Sequence, residues 1–209
     1  MNNSGQAFRE DSSKTGTYEN GHISNFRVPL VFYHPQLPNI QVNANASAMS
    51  TIPTLLDLMV QTQSLNKVDT DVALDLMNEY EGQSLIRPFK TNQNGRRVWH
   101  FGVINTGGTI LSVGDASVPF RLIIPLQEDK EYIFTDLTHD PFEQKMTRDF
   151  SITSLSRRLR RTVSTEASMW VLDADKVSKW WMAERKRLYN YGENDDDSEE
   201  WDNSWANWS

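Results

Sequence analysis

Apolar and polar positions along the chain change pattern three times. From Phe26 to Phe32, the residues Val28, Leu30, Val31 and Phe32 make a near-continuous apolar run that Pro35 ends. That is the pattern of a strand covered on both faces. Pro35 and Pro38 then predict a turn. The pattern next becomes helical. In "SAMSTIPTLLDLMVQTQ", Ile52, Leu55, Leu56, Met59 and Val60 fall at helical spacing and predict one buried face. Ser50 or Thr51 serves as N-cap, and Pro53 lies in the first turn, where its missing N–H costs nothing. A second helix is predicted over "DVALDLMNEYEG", with Val72, Leu76 and Tyr80 on one stripe and Gly82 as its stop.

Beyond Gly82 the pattern is of short strands and tight turns. Asn94-Gly95 is a hairpin signal, and "VWHFGVI" after it reads as a strand. "GGTILSVGDAS", "VPFRLIIPL" and "KEYIFTDL" read as further strands, which together predict an antiparallel sheet. A long amphipathic helix follows over "STEASMWVLDADKVSKWWMAERKRLYNY", its apolar side supplied by Val171, Leu172, Val177, Trp180 and Trp181. Past Gly192 the apolar periodicity ends, which predicts a disordered tail. These changes divide the chain into residues 1–89, an antiparallel subdomain over 90–150, a basic run and helix over 151–192, and an acidic tail over 193–209. No internal repeat is present.

Composition adds few constraints. The chain has 209 residues, enough for one substantial domain with appendages, and its apolar share is 38%. Its net charge of -7 is local: "ENDDDSEEWD", Glu193 to Asp202, carries seven acids and no base. Removing those seven from the 28 acidic residues leaves 21, which match the 21 Lys and Arg. No broad basic surface is expected, and therefore no nucleic-acid partner. The run "RRLRR", Arg157 to Arg161, offers contacts to phosphates or an acidic partner, but reads first as a solvated face or loop that can pair with the acidic tail. Without cysteine, disulfides, thiolate metal sites and cysteine nucleophiles are excluded. The first residues are polar, so no signal peptide is read. No apolar run approaches the roughly 20 residues that span a bilayer, so no transmembrane segment is predicted. The compartment is left open. N-x-S sequons at Asn2, Asn45 and Asn207 would matter only in a secreted chain.

"SVPFR", Ser117 to Arg121, satisfies S-x-P-x-R, the pattern at which sulfatases make their formylglycine nucleophile. That chemistry needs a strand-to-helix junction, where helix amides can cradle an anion. Here the motif runs into the strand-like "LIIPL", and Pro119 reads as a strand start. His34 ends the first apolar run and reads as structural. "THDP", with His139, Asp140 and nearby Glu143, reads as turn and capping chemistry.

Lys14, Thr17, Tyr18, Glu19 and Gly21 stand as K-x-x-T-Y-E-x-G, and Arg27-Val28-Pro29-Leu30 follow. This arrangement resembles the sulfatase family of the alkaline phosphatase superfamily. The likeness continues in "IPTLLDLM", in "EGQSLIRPF" and in "PFRLIIPLQEDKEYIFTDLTHDPFEQ", and covers roughly Gly5 to Gln144 in the family's order. It implies an α/β fold: the C-terminal portion of an alkaline-phosphatase-like sheet with flanking helices, then a small antiparallel sheet and a long C-terminal helix. Residues 1–89 would be the core remnant, with Phe26–Phe32 as a central strand and the Ile52–Val60 helix packed on its sheet.

The resemblance further implies hydrolysis of sulfate or related phosphate esters with a divalent, calcium-like metal. Lys14 would neutralise the transferred group, His22 would line the cleft, and Asn3 would be a metal ligand. Asn3-Ser4-Gly5-Gln6 stands where the family has a D-H-G or D-N-G turn. Asn3 keeps one carbonyl oxygen for a hard cation but no charge, and Ser4 is a poor ligand. The family's nucleophile and paired aspartates lie N-terminal to this region. The expectation is therefore a sulfatase-like chain that binds metal weakly and is inactive alone. The alternatives are a non-enzymatic binding or regulatory module, or the C-terminal segment of an active sulfatase, whose full-length relatives could be secretory or membrane-anchored. A sheet short of strands exposes an edge, so self-association is also expected.

Overall fold

The computed structural model describes residues 21–93, 95–105, 108–126 and 129–189. They form two compact units. One comprises Pro29–His100 with Asp115–Val118, and the other comprises 21–28, Phe101–Gly114 and 119–189.

In the first unit, a 3-10 turn (Ala48–Ser50) leads directly into helix α1 (Thr51–Gln61), with Pro53 in its first turn as expected. Helix α2 (Lys67–Glu79) begins earlier than its apolar pattern indicates. Asn66 caps it by accepting from the Asp69 N–H at 2.9 Å. Two-residue strands β1 (Asn92–Gln93) and β2 (Arg96–Arg97) pair antiparallel, and Gly95 supplies the turn's positive φ of 77°. The Asn-Gly hairpin signal is therefore realised.

Both helices bury faces other than the expected ones. On α1 the buried residues are Pro53, Thr54 and Asp57, while Ile52, Leu55 and Met59 are exposed. On α2 only Ala73 is buried, and Val72, Leu76 and Tyr80 are exposed. The physical reason lies in the polar segment after α2. Asp57 accepts from Arg87 Nε and Nη2, each at 2.6 Å, and from Ser84 Oγ at 2.6 Å. Thr54 Oγ1 accepts from the Leu85 N–H at 2.9 Å, and Ser50 Oγ from the Gln83 N–H. Covering this polar face satisfies five donors, which an apolar face could not do. Gly82 is no helix stop, since α2 ends at Glu79. A Cβ at Gly82 would lie 2.1 Å from the Met49 carbonyl oxygen, so only glycine admits that approach.

The expected strand over Phe26–Phe32 is not formed. Residues 27–34 carry neither helix nor strand hydrogen bonding, and Val28, Leu30, Val31 and Tyr33 are exposed. An apolar run becomes a strand only when a neighbouring strand accepts and donates along it. Among the described residues none does. His34 accordingly ends no strand; its Nδ1 accepts from the Gln36 N–H in a local turn.

The second unit is built on a five-stranded antiparallel sheet in simple sequential order: β3 (Trp99–Val103), β4 (Ile110–Asp115), β5 (Phe120–Pro125), β6 (Tyr132–Asp136) and β7 (Thr147–Asp149). The ends of β3 and β4 at Trp99–His100 and Asp115 belong to the first unit. The antiparallel sheet and long C-terminal helix match the sequence pattern; an alkaline-phosphatase-like sheet is not among the observations. Strand β5 is central and buried along its whole length, which explains its apolar run, broken only by Arg121. Its neighbours register as Leu122 with Val113 on one side and with Phe134 on the other.

Two helices join this sheet. The RRLRR run lies in helix α3 (Ile152–Thr162), which is followed within a few residues by helix α4 (Thr165–Tyr189). Leu155 and Leu159 of α3 and Ala167, Trp170, Val171 and Ala174 of α4 are buried. Trp170 meets Phe120 and Phe134 at centroid separations of 5.7 and 6.3 Å, forming an aromatic core against one face of the sheet. Leu172 and Trp180, expected on the apolar side, are exposed, while Trp181 stacks on Phe101 at 4.9 Å. Ala167, Trp170, Val171, Ala174 and Ser178 set the buried stripe instead, because small residues let the helix approach closely.

Candidate functional site

Asn3 and Lys14, the expected metal ligand and charge-neutralising residue, lie outside the described residues. His22 is described, and in the second unit it sits within a buried polar node. Arg121 projects from β5 onto the sheet face opposite Phe120 and Leu122, because alternate residues of a strand point to opposite faces. It is 4% exposed. Its Nη1 donates to Glu143 Oε1 at 2.5 Å, its Nη2 to the Gly21 carbonyl at 2.6 Å, and its Nε to Ser112 Oγ at 2.9 Å. The guanidinium also lies over the Phe26 ring, 4.8 Å from its centroid.

Glu143, itself 3% exposed, uses its other oxygen to accept from the Ile23 N–H at 2.7 Å. It adopts a positive φ of 52° in the turn after Asp140, a conformation unusual for a residue with a side chain. His22 caps the 3-10 turn Ile23–Asn25: its Nδ1 accepts from the Ser24 N–H at 3.2 Å. With Nδ1 accepting, Nε2 carries the proton and donates to the Phe142 carbonyl at 2.9 Å. Gly21 fits because Ile123 Cδ1 and Ile104 Cδ1 would lie 2.9 and 3.0 Å from a Cβ there.

The node's chemistry is that of a clamp. Burial lowers the Arg121 pKa, while the charge and hydrogen bond of Glu143 work against that shift. An arginine remains charged through such a shift, so the pair stays an ion pair. His22 bonds through both ring nitrogens to backbone groups, and each Arg121 nitrogen donates to a protein acceptor. This arrangement holds residues 21–26 to the sheet and presents no nucleophile.

The S-x-P-x-R residues are equally committed. In the first unit, Ser117 N and Oγ both donate to Asp115 Oδ1 at 2.6 Å, and Val118 N donates to the same oxygen at 2.9 Å. Arg97 Nη1 donates to Asp115 Oδ2 and to Ser117 Oγ, each at 3.1 Å. Ser117 thus belongs to an Asp-centred turn that leads into a strand rather than a helix. Asn45, a sequon residue, uses its Nδ2 to donate to the Asp115 and Val118 carbonyls at 3.2 and 3.4 Å, so the glycan-accepting nitrogen is occupied. In the second unit, His139 Nδ1 lies 2.8 Å from Asp136, and Asp140 accepts from the Gln144 and Lys145 N–H groups, as turn chemistry requires.

A cavity of about 520 Å³ in the first unit is lined by Gln93, Arg96, Arg97 and Val98. It offers positive charge from Arg96 and from Arg97, which is itself paired with Asp115 and Ser117. Among the described residues no group of three or more His, Asp or Glu is placed to hold a metal ion. No helix among them is long and apolar enough to cross a membrane. The buried pair Arg121–Glu143, and the pair of buried Asp57 with exposed Arg87, were missed in sequence. A charged residue inside the apolar run "PFRLIIP" was the available signal for the first. Compared with known proteins, the chain matches no family profile, no curated protein and no solved structure.

Proposed function

We propose that this chain is a sulfatase-like polypeptide without catalytic capacity of its own, whose folded part serves as scaffold. The supporting observation is the lock between two segments that carry the resemblance. Asp57, Thr54 and Ser50, in and just before "IPTLLDLM", accept from Arg87, Ser84, Leu85 and Gln83 of "EGQSLIRPF". Contact through a buried carboxylate makes these two segments one structural module, as the resemblance would require. The unformed strand at 26–32 weighs against this reading, since the resemblance implies a central strand there. Such a chain would meet sulfate or phosphate esters only as part of a larger assembly.

Catalysis by this family's chemistry needs a nucleophile and several anionic metal ligands acting as a unit, and loss of members costs orders of magnitude in rate. The test is hydrolysis of aryl sulfate and aryl phosphate with and without divalent metal, on the parent chain, Lys14→Ala and Ser117→Ala. No turnover is expected from any of them. Metal-dependent turnover lost in Ser117→Ala would overturn both the scaffold reading and the structural role of Ser117. Turnover lost only in Lys14→Ala would show a working site assembled from other residues. A second reading, a non-enzymatic binding module, is favoured by the exposed arginines of α3.

A further inference from the structure

We infer that the arginine face of α3 is a docking site for Glu199, Glu200 and Asp202, the distal acids of this chain's own acidic segment, folded back along α4. Arg157, Arg160 and Arg161 are exposed, and their spacing of three and four places them on one side of α3, away from buried Leu155 and Leu159. Arg158 differs, since Arg148 O and Asp149 Oδ2 hold its guanidinium at 3.0 and 2.9 Å. Among the described residues no carboxylate forms an ion pair with the other three. Like charges at such spacing repel, so the face favours an anion. The matching anion is in the same chain: seven acids without a base, in a sequence otherwise balanced between acids and bases.

The segment is long enough to reach. Ser156 Oγ meets the Ser168 carbonyl and hydroxyl at 2.9 Å, so the middle of α3 lies beside the first turns of α4. From Ser168 to Tyr189 a helix rises about 32 Å at 1.5 Å per residue. An extended chain advances about 3.3 to 3.6 Å per residue, which carries Glu199, Glu200 and Asp202 roughly 33 to 47 Å past Tyr189. These three can reach the arginines. Asp195–Asp197 fall short of them. The contact is between exposed charges, so salt weakens it. It does not depend on the proposed sulfatase ancestry.

Because the chain has no cysteine, a spin-label pair can be placed at Thr162→Cys and Ser204→Cys in the full-length protein. Pulsed dipolar distances are then recorded near 0.01 M and 1 M salt, where the Debye length is about 30 Å and 3 Å. A short, narrow distance is expected at low salt, and a long, broad one at high salt. Combining Arg157→Glu, Arg160→Glu and Arg161→Glu should give the long distribution at low salt. Adding Glu199→Lys, Glu200→Lys and Asp202→Lys to that variant should restore the short one. Circular dichroism checks that each variant is folded; where one is not, the salt titration of the parent decides. A long distribution at low salt, or a short one that survives 1 M salt, would overturn the inference. So would a short distance lost on dilution with unlabelled chain, which means contact between copies. Loss on Lys186→Glu with the α3 variant unaffected would assign the tail to the end of α4 instead.

Discussion

Arg121 and Glu143 illustrate how much a single buried pair decides. Both are nearly inaccessible, and together they tie residues 21–26 and the turn after Asp140 to β5. Removing one partner of a buried pair leaves the other charge uncompensated. Glu143→Ala should therefore cost about 3–5 kcal/mol, read as a lowered denaturation midpoint. The double variant Arg121→Met, Glu143→Leu should recover most of that loss, because it removes both charges and keeps the volume. A Glu143→Ala protein as stable as the parent would show that the pair is not holding the fold. His22, expected to line a cleft, caps a turn through its Nδ1; a histidine in a loop reads alike in sequence for either role. Only the positions of the Ser24 N–H and the Phe142 carbonyl distinguish them.

At the scale of elements, α1 reverses the ordinary rule. Its apolar stripe is exposed and its polar residues are buried, because the segment 82–87 brings donors that only Thr54, Asp57 and Ser50 can satisfy. Leu56 is half-buried, so Leu56→Ala should cost less than the ~2–5 kcal/mol of a core leucine. Asp57→Asn should cost more than Leu56→Ala at neutral pH. Burial raises the Asp57 pKa, but hydrogen bonds from Arg87, Ser84 and Gln61 outweigh it and hold the carboxyl below its ordinary value of 3.8. A carboxyl whose folded pKa is lowered stabilises the protein above its unfolded pKa and loses that contribution as pH falls through the folded value. The gap between parent and Asp57→Asn should be full at pH 7 and shrink below about pH 3.8. Melts at a series of pH values check this; a gap unchanged into acid would mean that the ionised form of Asp57 contributes nothing.

For the whole molecule, the consequence of that reversal is exposed apolar surface. Ile52, Leu55 and Met59 on α1 and Val68, Val72 and Leu76 on α2 are between 39% and 70% exposed, and Leu30, Val31 and Tyr33 add to them. Exposed apolar surface of this kind favours association. Sedimentation should show concentration-dependent self-association, reduced by Val68→Lys with Val72→Lys; a monodisperse parent would contradict it. The sequence by itself determined the elements whose signals are local. These are the Asn94-Gly95 hairpin, the strands around "VPFRLIIPL" and "KEYIFTDL", the Pro53 helix start and the long C-terminal helix, each set by turn chemistry or by a run that only one backbone geometry can bury. The tertiary structure decided what depends on a distant partner. It left Phe26–Phe32 without a ladder, turned the polar face of α1 inward, made RRLRR a helix packed through Leu155 and Leu159, and assigned His22 to a cap. Periodicity shows which residues share a face, but burial of that face requires a matching surface, and for polar groups it requires donors and acceptors contributed by residues far along the chain.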